Sequence, residues 1–152
     1  MIVTTNNNQT TILEEISLSG VGLHTGKDVN LTFRPAKPDT GYIFKRIDLD
    51  GSPIIEAHAN YVSSTERGTC LNKDYIKIQT CEHVLASLVG LEIDNVIIEL
   101  NASEPPIMDG SSKYFVKALE DVGIKEQKVK RKEFVVKNVI LYWIVNCGID
   151  IW

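Results

Sequence analysis

The sequence has few cysteines and contains no long hydrophobic run. Its three cysteines, Cys70, Cys81 and Cys147, are odd in number and include no Cys-x-x-Cys pair, which argues against a disulfide framework and a cysteine zinc site. A cysteine outside a disulfide or metal site is more often a small buried residue than a nucleophile. We therefore expect Cys70 and Cys81 to be buried structural residues. The longest apolar run, Val139 to Val145, falls far short of the roughly 20 residues that span a bilayer. We therefore expect no transmembrane segment.

Positive charge is also in short supply. The 152 residues include 16 lysines and arginines against 20 aspartates and glutamates, a formal net charge of −4. Because nucleic-acid-binding domains usually carry a basic excess, this balance argues against a nucleic-acid partner. No basic segment precedes an apolar stretch at the amino terminus, so a secretory signal is not expected. These features together predict a cytoplasmic protein.

The hydrophobic pattern predicts strands early in the chain and helices late. Apolar and polar residues alternate over Val29–Arg34, as in a half-buried strand, and Asp50-Gly51 indicates a hairpin turn before another strand. One amphipathic helix is predicted over Thr80–Gly90, with Thr80 as N-cap and Gly90 as C′ residue. A second is predicted over Phe115–Val122, which Gly123 ends. We expect an α+β two-layer sandwich, with two helices on one face of one mixed or antiparallel sheet.

Composition divides the chain into four segments. Residues 1–9 are polar and rich in asparagine, which predicts a flexible amino terminus. Residues 10–124 contain the predicted strands and helices of one domain. Residues 125–133 are charged and resemble a linker, whereas residues 134–152 are apolar and β-prone.

The chain has only three histidines, and one of them follows a glutamate at the start of the first predicted helix. The helix dipole favours the carboxylate form of Glu82 and the neutral form of His83. A neutral imidazole can bind a metal, and a nearby carboxylate can take a proton from water that the metal activates. A catalytic zinc needs three protein ligands, and this pair supplies one. A helix with an ordinary polar first turn would account for the same two residues.

The other candidate groups each have a structural explanation. His24 and Asp28 have the spacing of two ligands on a helix, but Gly26 lies between them, which predicts a turn. The glycines of residues 20–26 could cradle a phosphate, or they could simply form a tight turn between strands. His58 lies in a predicted strand, where we expect a structural or surface histidine.

Three segments together resemble one enzyme family. Residues 20–26 (GVGLHTG), 80–88 (TCEHVLASL) and 106–111 (PIMDGS) have the order and spacing found in UDP-3-O-acyl-N-acetylglucosamine deacetylase, the zinc amidase that commits the pathway to lipid A. The similarity runs from about Gln9 to Asn138, and the chain looks like the first of that enzyme's two similar α+β domains. Some members of the family carry a fused 3-hydroxyacyl-[acyl-carrier-protein] dehydratase.

The resemblance implies roles for three residues. His83 matches the first Zn2+ ligand, Glu82 matches the general base, and His24 matches a histidine near the active site that we assign to substrate binding. The implied reaction hydrolyses the 2-acetamide of a UDP-sugar acyl substrate, releasing acetate and leaving an amine. The other Zn2+ ligands, a His-x-x-x-Asp pair, and the histidine that acts as general acid are expected in a second deacetylase domain, which is missing from this chain.

The sequence departs from the family pattern after Asn138. Both tryptophans, Trp143 and Trp152, lie in this last segment, and the change of composition suggests a truncated or out-of-frame start of the second domain. We therefore expect an incomplete half of a deacetylase that is inactive alone. Two alternatives remain open: a non-catalytic interaction or dimerisation module, which would expose an apolar face, and a truncated pseudogene product.

Overall fold

A computed structural model of the chain describes residues 1–136. The predicted departure after Asn138 therefore lies outside the described residues. The strands are β1 (Ile2–Ile12), β2 (Ile16–Val21), β3 (Asp28–Pro35), β4 (Tyr42–Arg46), β5 (Ile54–Glu56), β6 (Val62–Ser64), β7 (Cys70–Lys73), β8 (Ile76–Ile78), β9 (Val96–Leu100) and β10 (Ile124–Phe134). The helices are α1 (Glu82–Gly90), α2 (Lys113–Val122) and a short 3-10 helix (Ala59–Tyr61). Within the described part of the chain, no helix is both long and apolar enough to cross a membrane.

A five-stranded mixed sheet forms the centre of the fold. Its strand order is β2-β3-β9-β4-β5, and all neighbours are antiparallel except β4 and β9, which run parallel. Val29, Leu31 and Phe33 on β3 are all buried, which confirms the alternation seen in the sequence. Val96, Ile98 and Leu100 of β9 lie in the same core.

Both helices contribute to the core that the sheet lines. Val84 and Leu88 of α1 and Phe115 and Leu119 of α2 are fully buried. The rings of Phe33 and Phe115 meet edge to face, with their centroids 6.3 Å apart, a favourable arrangement for aromatic pairs. The predicted α+β class is confirmed.

The two ends of the described chain form a long ribbon that the sequence does not predict. Strands β1 and β10 pair antiparallel, with Ile2 opposite Phe134 and Ile12 opposite Ile124. Residues 2–9 of the segment expected to be flexible, and residues 125–133, expected to be a linker, lie in these strands. Both expectations therefore differ from the structure.

Polar contacts hold this ribbon to the domain, which is why the hydrophobic pattern of the sequence does not predict it. The buried side chain of Asn95 donates to Gln9 of β1 at 2.9 Å and to Gln127 of β10 at 2.8 Å. Arg131 of β10 forms an ion pair with Asp94 at 3.0 Å. Because buried amides must be hydrogen-bonded, these contacts fix the ribbon to the domain with little apolar alternation.

A small three-stranded sheet, β6-β7-β8, precedes the first helix. The sequence predicts one strand from Pro53 to Val62, but the chain there forms the short strand β5 and then the 3-10 helix. His58 is not in a strand: it is exposed and caps the 3-10 helix, because its Nδ1 accepts the N–H of Asn60 at 3.1 Å. This is a structural histidine at the surface, as expected.

The ends of α1 differ from the predicted ones. Thr80 does not cap the helix; it has a left-handed φ of 52°, and its hydroxyl instead donates to Glu104 at 2.8 Å. Cys81 occupies the N-cap position without a side-chain cap. Gly90 is the last helical residue, and the left-handed conformation falls on Glu92, with φ 54°. The predicted N-cap and C′ residues are therefore both wrong.

Candidate active site

Glu82 opens α1, and the loop before β7 holds its carboxylate. The backbone N–H of Thr69 donates to Oε2 of Glu82 at 2.9 Å. Gly68 packs so closely that a Cβ placed on it would lie 3.2 Å from Oε1. Its φ of 141° also belongs to the region that favours glycine. Oε1 has no hydrogen-bond donor among residues 1–136, so one oxygen is oriented and the other can accept a proton.

His83 follows Glu82 on the first turn of α1 and is half-buried. Its carbonyl oxygen accepts the hydroxyl of Ser112 at 2.9 Å, which links α1 to the start of α2. Its imidazole has no hydrogen-bond partner in the described part of the chain. A neutral imidazole is the form of histidine that binds zinc.

The described residues do not complete a metal site. No group of three histidine, cysteine, aspartate or glutamate side chains that could hold an ion occurs within residues 1–136. Since a catalytic zinc takes three protein ligands, His83 fits one position of such a site and the other positions need residues from outside this range.

His24 lies in the turn that joins β2 to β3, and we name residues 22–26 the His24 turn. The turn is closed by backbone hydrogen bonds from Gly26 N–H to Gly22 at 3.0 Å and from Gly22 N–H to Lys27 at 2.9 Å. The predicted turn is thus confirmed, and His24 and Asp28 do not share a helix. The exposed imidazole of His24 places Nε2 3.3 Å from the carbonyl oxygen of Arg67.

A cavity of about 150 Å³ joins the His24 turn to the loop that holds Glu82. Its lining residues are His24, Glu66, Arg67, Gly68, Cys70, Gln79 and Thr80. Gly68 connects the two candidate groups, because it lines this cavity and also contacts Glu82. His83 is not part of the lining. A larger cavity of about 300 Å³ lies at the β1–β10 ribbon, and it contains none of the predicted site residues.

Glu104 is the site residue that sequence reasoning missed. It is fully buried, and its carboxylate accepts hydrogen bonds from the backbone of His24 and Thr25 and from the hydroxyl of Thr80. Burial alone would raise the pKa of the Glu104 carboxyl, but these hydrogen bonds outweigh burial and lower the pKa below its ordinary value. The only signal in the sequence is its position directly before Pro105-Pro106.

The Pro106–Ser111 segment builds the start of α2. Asp109 accepts hydrogen bonds from the backbone and hydroxyl of Ser111 at 3.0 and 2.8 Å, and the Ser111 hydroxyl accepts the N–H of Lys113 at 3.2 Å. Ser111 therefore accepts an N–H of the first turn of α2, although the cap position itself is Ser112.

The fold brings the three resemblance-bearing segments together. A Cβ on Gly20 would lie 3.0 Å from Cβ of Pro106, and Ile107 N–H donates to the carbonyl of Val21 at 2.9 Å. Glu104 connects the His24 turn to Thr80, where the helical segment begins. Segments far apart in sequence therefore form one site.

Comparison with known proteins agrees with this arrangement. The model of the family described as UDP-3-O-acyl N-acetylglycosamine deacetylase, LpxC, matches residues 9–146. The match therefore continues past Asn138, where the sequence analysis expects the similarity to end. It covers all three segments that form the site.

Curated relatives are longer than this chain. A bifunctional enzyme LpxC/FabZ of Bacteroides thetaiotaomicron is 46% identical over 143 residues, which make up 94% of this chain and 31% of the relative. UDP-3-O-acyl-N-acetylglucosamine deacetylases of Idiomarina loihiensis and Histophilus somni are 48% and 49% identical over 133 residues, which make up 87% of this chain and 44% of each relative. The chain thus spans less than half the length of these relatives. With most of its residues matched by the family model, the chain belongs to the UDP-3-O-acyl N-acetylglycosamine deacetylase family.

Proposed function

We propose that this chain supplies one part of the active site of a zinc-dependent deacetylase that removes the N-acetyl group from UDP-3-O-acyl-N-acetylglucosamine in lipid A synthesis. The main support is the position of Glu82, which opens α1 with one carboxylate oxygen held by Thr69 N–H and lies directly before His83. The names of the relatives support the substrate and the reaction. Since this substrate is a nucleotide-activated sugar, we assign the reaction to the cytoplasm.

Glu82 acts as the general base in this proposal. Thr69 N–H fixes Oε2, so Oε1 takes the proton from the water that attacks the acetamide carbonyl. A base must lie within hydrogen-bond reach of the proton it accepts. The products are acetate and a sugar with a free amine at its 2-position.

His83 supplies one zinc ligand, and His24 contacts the substrate at the cavity. Zinc bound here would act as a Lewis acid that polarises the amide carbonyl and lowers the pKa of water. The remaining ligands, a His-x-x-x-Asp pair, and a histidine general acid would come from a second deacetylase domain. The similarity to a bifunctional relative supports a form in which the dehydratase follows that domain.

A chimera tests this assignment. Residues 1–136 replace the corresponding part of the Bacteroides thetaiotaomicron relative, and deacetylation and bound zinc are measured. We expect an active zinc protein in which Glu82→Gln lowers kcat about 10²- to 10⁴-fold and retains zinc, whereas His83→Ala loses zinc. The exposed Glu120 and His58 provide the matched controls Glu120→Gln and His58→Ala, which should keep both properties. An active chimera that is insensitive to Glu82→Gln would contradict the proposal.

The 152-residue chain alone should show little or no deacetylation. His83 is the single zinc ligand proposed within it, and loss of one member of a catalytic set commonly lowers rates by several orders of magnitude. Turnover by the purified chain that disappears in Glu82→Ala would refute this expectation.

A binding role is the second candidate. The helices expose two large apolar side chains, Val89 at 63% and Tyr114 at 46%, and exposed apolar patches mark association surfaces. Association through Val89 would be supported if the molar mass from light scattering rises with protein concentration in wild type and stays that of a monomer in Val89→Ser. A monomer at all concentrations would argue against it.

A further inference from the structure

Glu104 has no part in the proposed chemistry, yet it contacts both the His24 turn and the segment that leads into α1. We propose that Glu104 is a positioning residue whose carboxylate holds the His24 turn at a fixed place relative to Glu82 and His83. The positioning itself follows from the geometry of this chain. Its consequence for catalysis rests on the proposed function, in which His24 contacts substrate.

The carboxylate joins two segments of the chain. Oε2 accepts the backbone N–H groups of His24 and Thr25, each at 3.0 Å. Oε1 accepts the hydroxyl of Thr80 at 2.8 Å and shares the N–H of His24 at 3.2 Å. Hydrogen bonds to an ionised acceptor are stronger than those between neutral groups. One side chain therefore ties the turn after β2 to the residue that stands two positions before Glu82.

Hydrogen bonds, rather than a counter-charge, satisfy this buried anion. Glu104 is 0% exposed, and none of the ion pairs within residues 1–136 includes it. A buried carboxylate without donors is strongly unfavourable. If the His24 turn moved away, Glu104 would lose its two backbone donors and remain buried with the Thr80 hydroxyl alone. The burial of Glu104 therefore opposes displacement of the turn.

The turn is shaped to admit the carboxylate. A Cβ on Gly22 would lie 2.7 Å from Oε2 of Glu104 and would also overlap the hydroxyl oxygen of Thr25. Such a contact requires one of these groups to shift. Glycine at position 22 is thus needed because the carboxylate comes close to the backbone, whatever backbone angle the residue adopts.

The backbone conformations of Glu104 and Thr80 are also constrained. Glu104 precedes two buried prolines, Pro105 and Pro106, whose rings fix the backbone angle φ. Thr80 has a left-handed φ of 52°, a conformation that is unfavourable for a residue with a branched side chain. The hydrogen bond to Glu104 supports Thr80 in this conformation. Glu104 therefore also sets the path by which the chain enters α1.

Amide hydrogen exchange of the full chain tests the contact without any assay of activity. The Glu104→Gln variant keeps the shape of the side chain but loses its charge. One acceptor oxygen is replaced by an NH2 group, which then faces other hydrogen-bond donors. Since hydrogen bonds to a charged acceptor are stronger than those to a neutral one, exchange of the His24 and Thr25 amides should accelerate about tenfold or more. The amide of Phe33, in the centre of the sheet, should be unchanged.

The matched control is Glu99→Gln. Glu99 is also a hydrogen-bonded carboxylate, which binds Arg34 at 2.7 Å and Lys45 at 2.9 Å on the sheet. This variant should leave the His24 and Thr25 amides as they are. Equal exchange of these amides in wild type and folded Glu104→Gln would overturn the proposal. If Glu104→Gln does not fold, Thr80→Val removes one donor only, and unchanged exchange at the start of α1 would overturn it equally.

The active chimera described above separates positioning from a purely structural role. Glu104→Gln should raise KM more than it lowers kcat, and its effect should not add to that of His24→Ala, because both act through the same imidazole. If exchange accelerates in Glu104→Gln but its effect on KM adds to that of His24→Ala, the catalytic consequence is refuted. Accelerated exchange with an unchanged KM in both variants would instead refute the substrate contact of His24, which belongs to the proposed function.

Discussion

Replacement of Gly68 by alanine should impair the proposed general base, Glu82, while leaving the fold intact. The new Cβ would lie 3.2 Å from Oε1 of Glu82 and 3.5 Å from the hydroxyl of Thr80. The first distance is tighter than nearly all real contacts of a Cβ. The carboxylate must therefore move by a few tenths of an ångström, and the moving oxygen is the one proposed to take the proton.

Two magnitudes follow from this geometry. A side chain at φ 141° costs about 1 to 3 kcal/mol in backbone strain, or about 3 to 9 °C in Tm for a domain of this size. A misplacement of about 1 Å at a reacting group can lower a rate about 100-fold. The smaller shift expected here should lower kcat about 10- to 100-fold in the active chimera.

Gly51→Ala is the matched control. Gly51 also has a positive φ, 72°, but an added Cβ would meet nothing within 4 Å. It should lower Tm by a similar amount, since an L residue in the left-handed region costs roughly 1 to 2 kcal/mol, and it should leave kcat unchanged. Equal kcat for Gly68→Ala and wild type, with Tm lowered in both variants, would refute the reasoning.

Three further predictions use other parts of the fold. Burial raises the pKa of the Cys81 thiol to about 12, with a smaller contribution from the charge of Glu82, so a thiol reagent at pH 8 should modify Cys70 and spare Cys81 in peptide maps of the native chain; equal modification would contradict this. The hydrogen bond from Arg46 lowers the pKa of the Asp48 carboxyl; its ionised form thus stabilises the fold above the unfolded pKa of about 3.9, and this stability is lost as pH falls through the folded pKa. The free energy of unfolding in urea should therefore fall less at acid pH in Asp48→Asn than in wild type. Parallel plots of this free energy against pH for the two proteins would contradict the prediction. Phe115→Ala should cost about 3 to 5 kcal/mol of unfolding free energy, and a loss below 1 kcal/mol would show that the ring is not a core residue.

The parts of the fold that the sequence predicts are those stabilised by apolar burial. The alternation of Val29, Leu31 and Phe33 marks β3, and the spacing of Phe115 and Leu119 marks α2, because burial of one face requires these periods. The β1–β10 ribbon depends on amides and charges instead, such as Gln9 and Arg131. Polar pairs of this kind leave no period in the sequence.

The candidate site shows the same division. Glu82 and His83 attract attention because they are adjacent at a helix start, which is a local property. Gly68 and Glu104 act across the fold: Gly68 lies in the loop before β7, whereas Glu82 opens α1, and Glu104 is 24 residues from Thr80 and 80 residues from His24 along the chain. A single sequence carries no record of such contacts, so these two residues become visible only in the structure.

The contacts of Glu104 also decide between two explanations of the glycines in the His24 turn. A loop that cradles a phosphate directs unpaired backbone N–H groups at the anion. Here the N–H groups of His24 and Thr25 already donate to the Glu104 carboxylate, and Gly22 N–H donates to Lys27. An added phosphate would have to displace this carboxylate, and the two negative charges would repel one another. Gly22 therefore allows the close approach of an internal anion, and the turn is a structural support for His24 rather than a phosphate site.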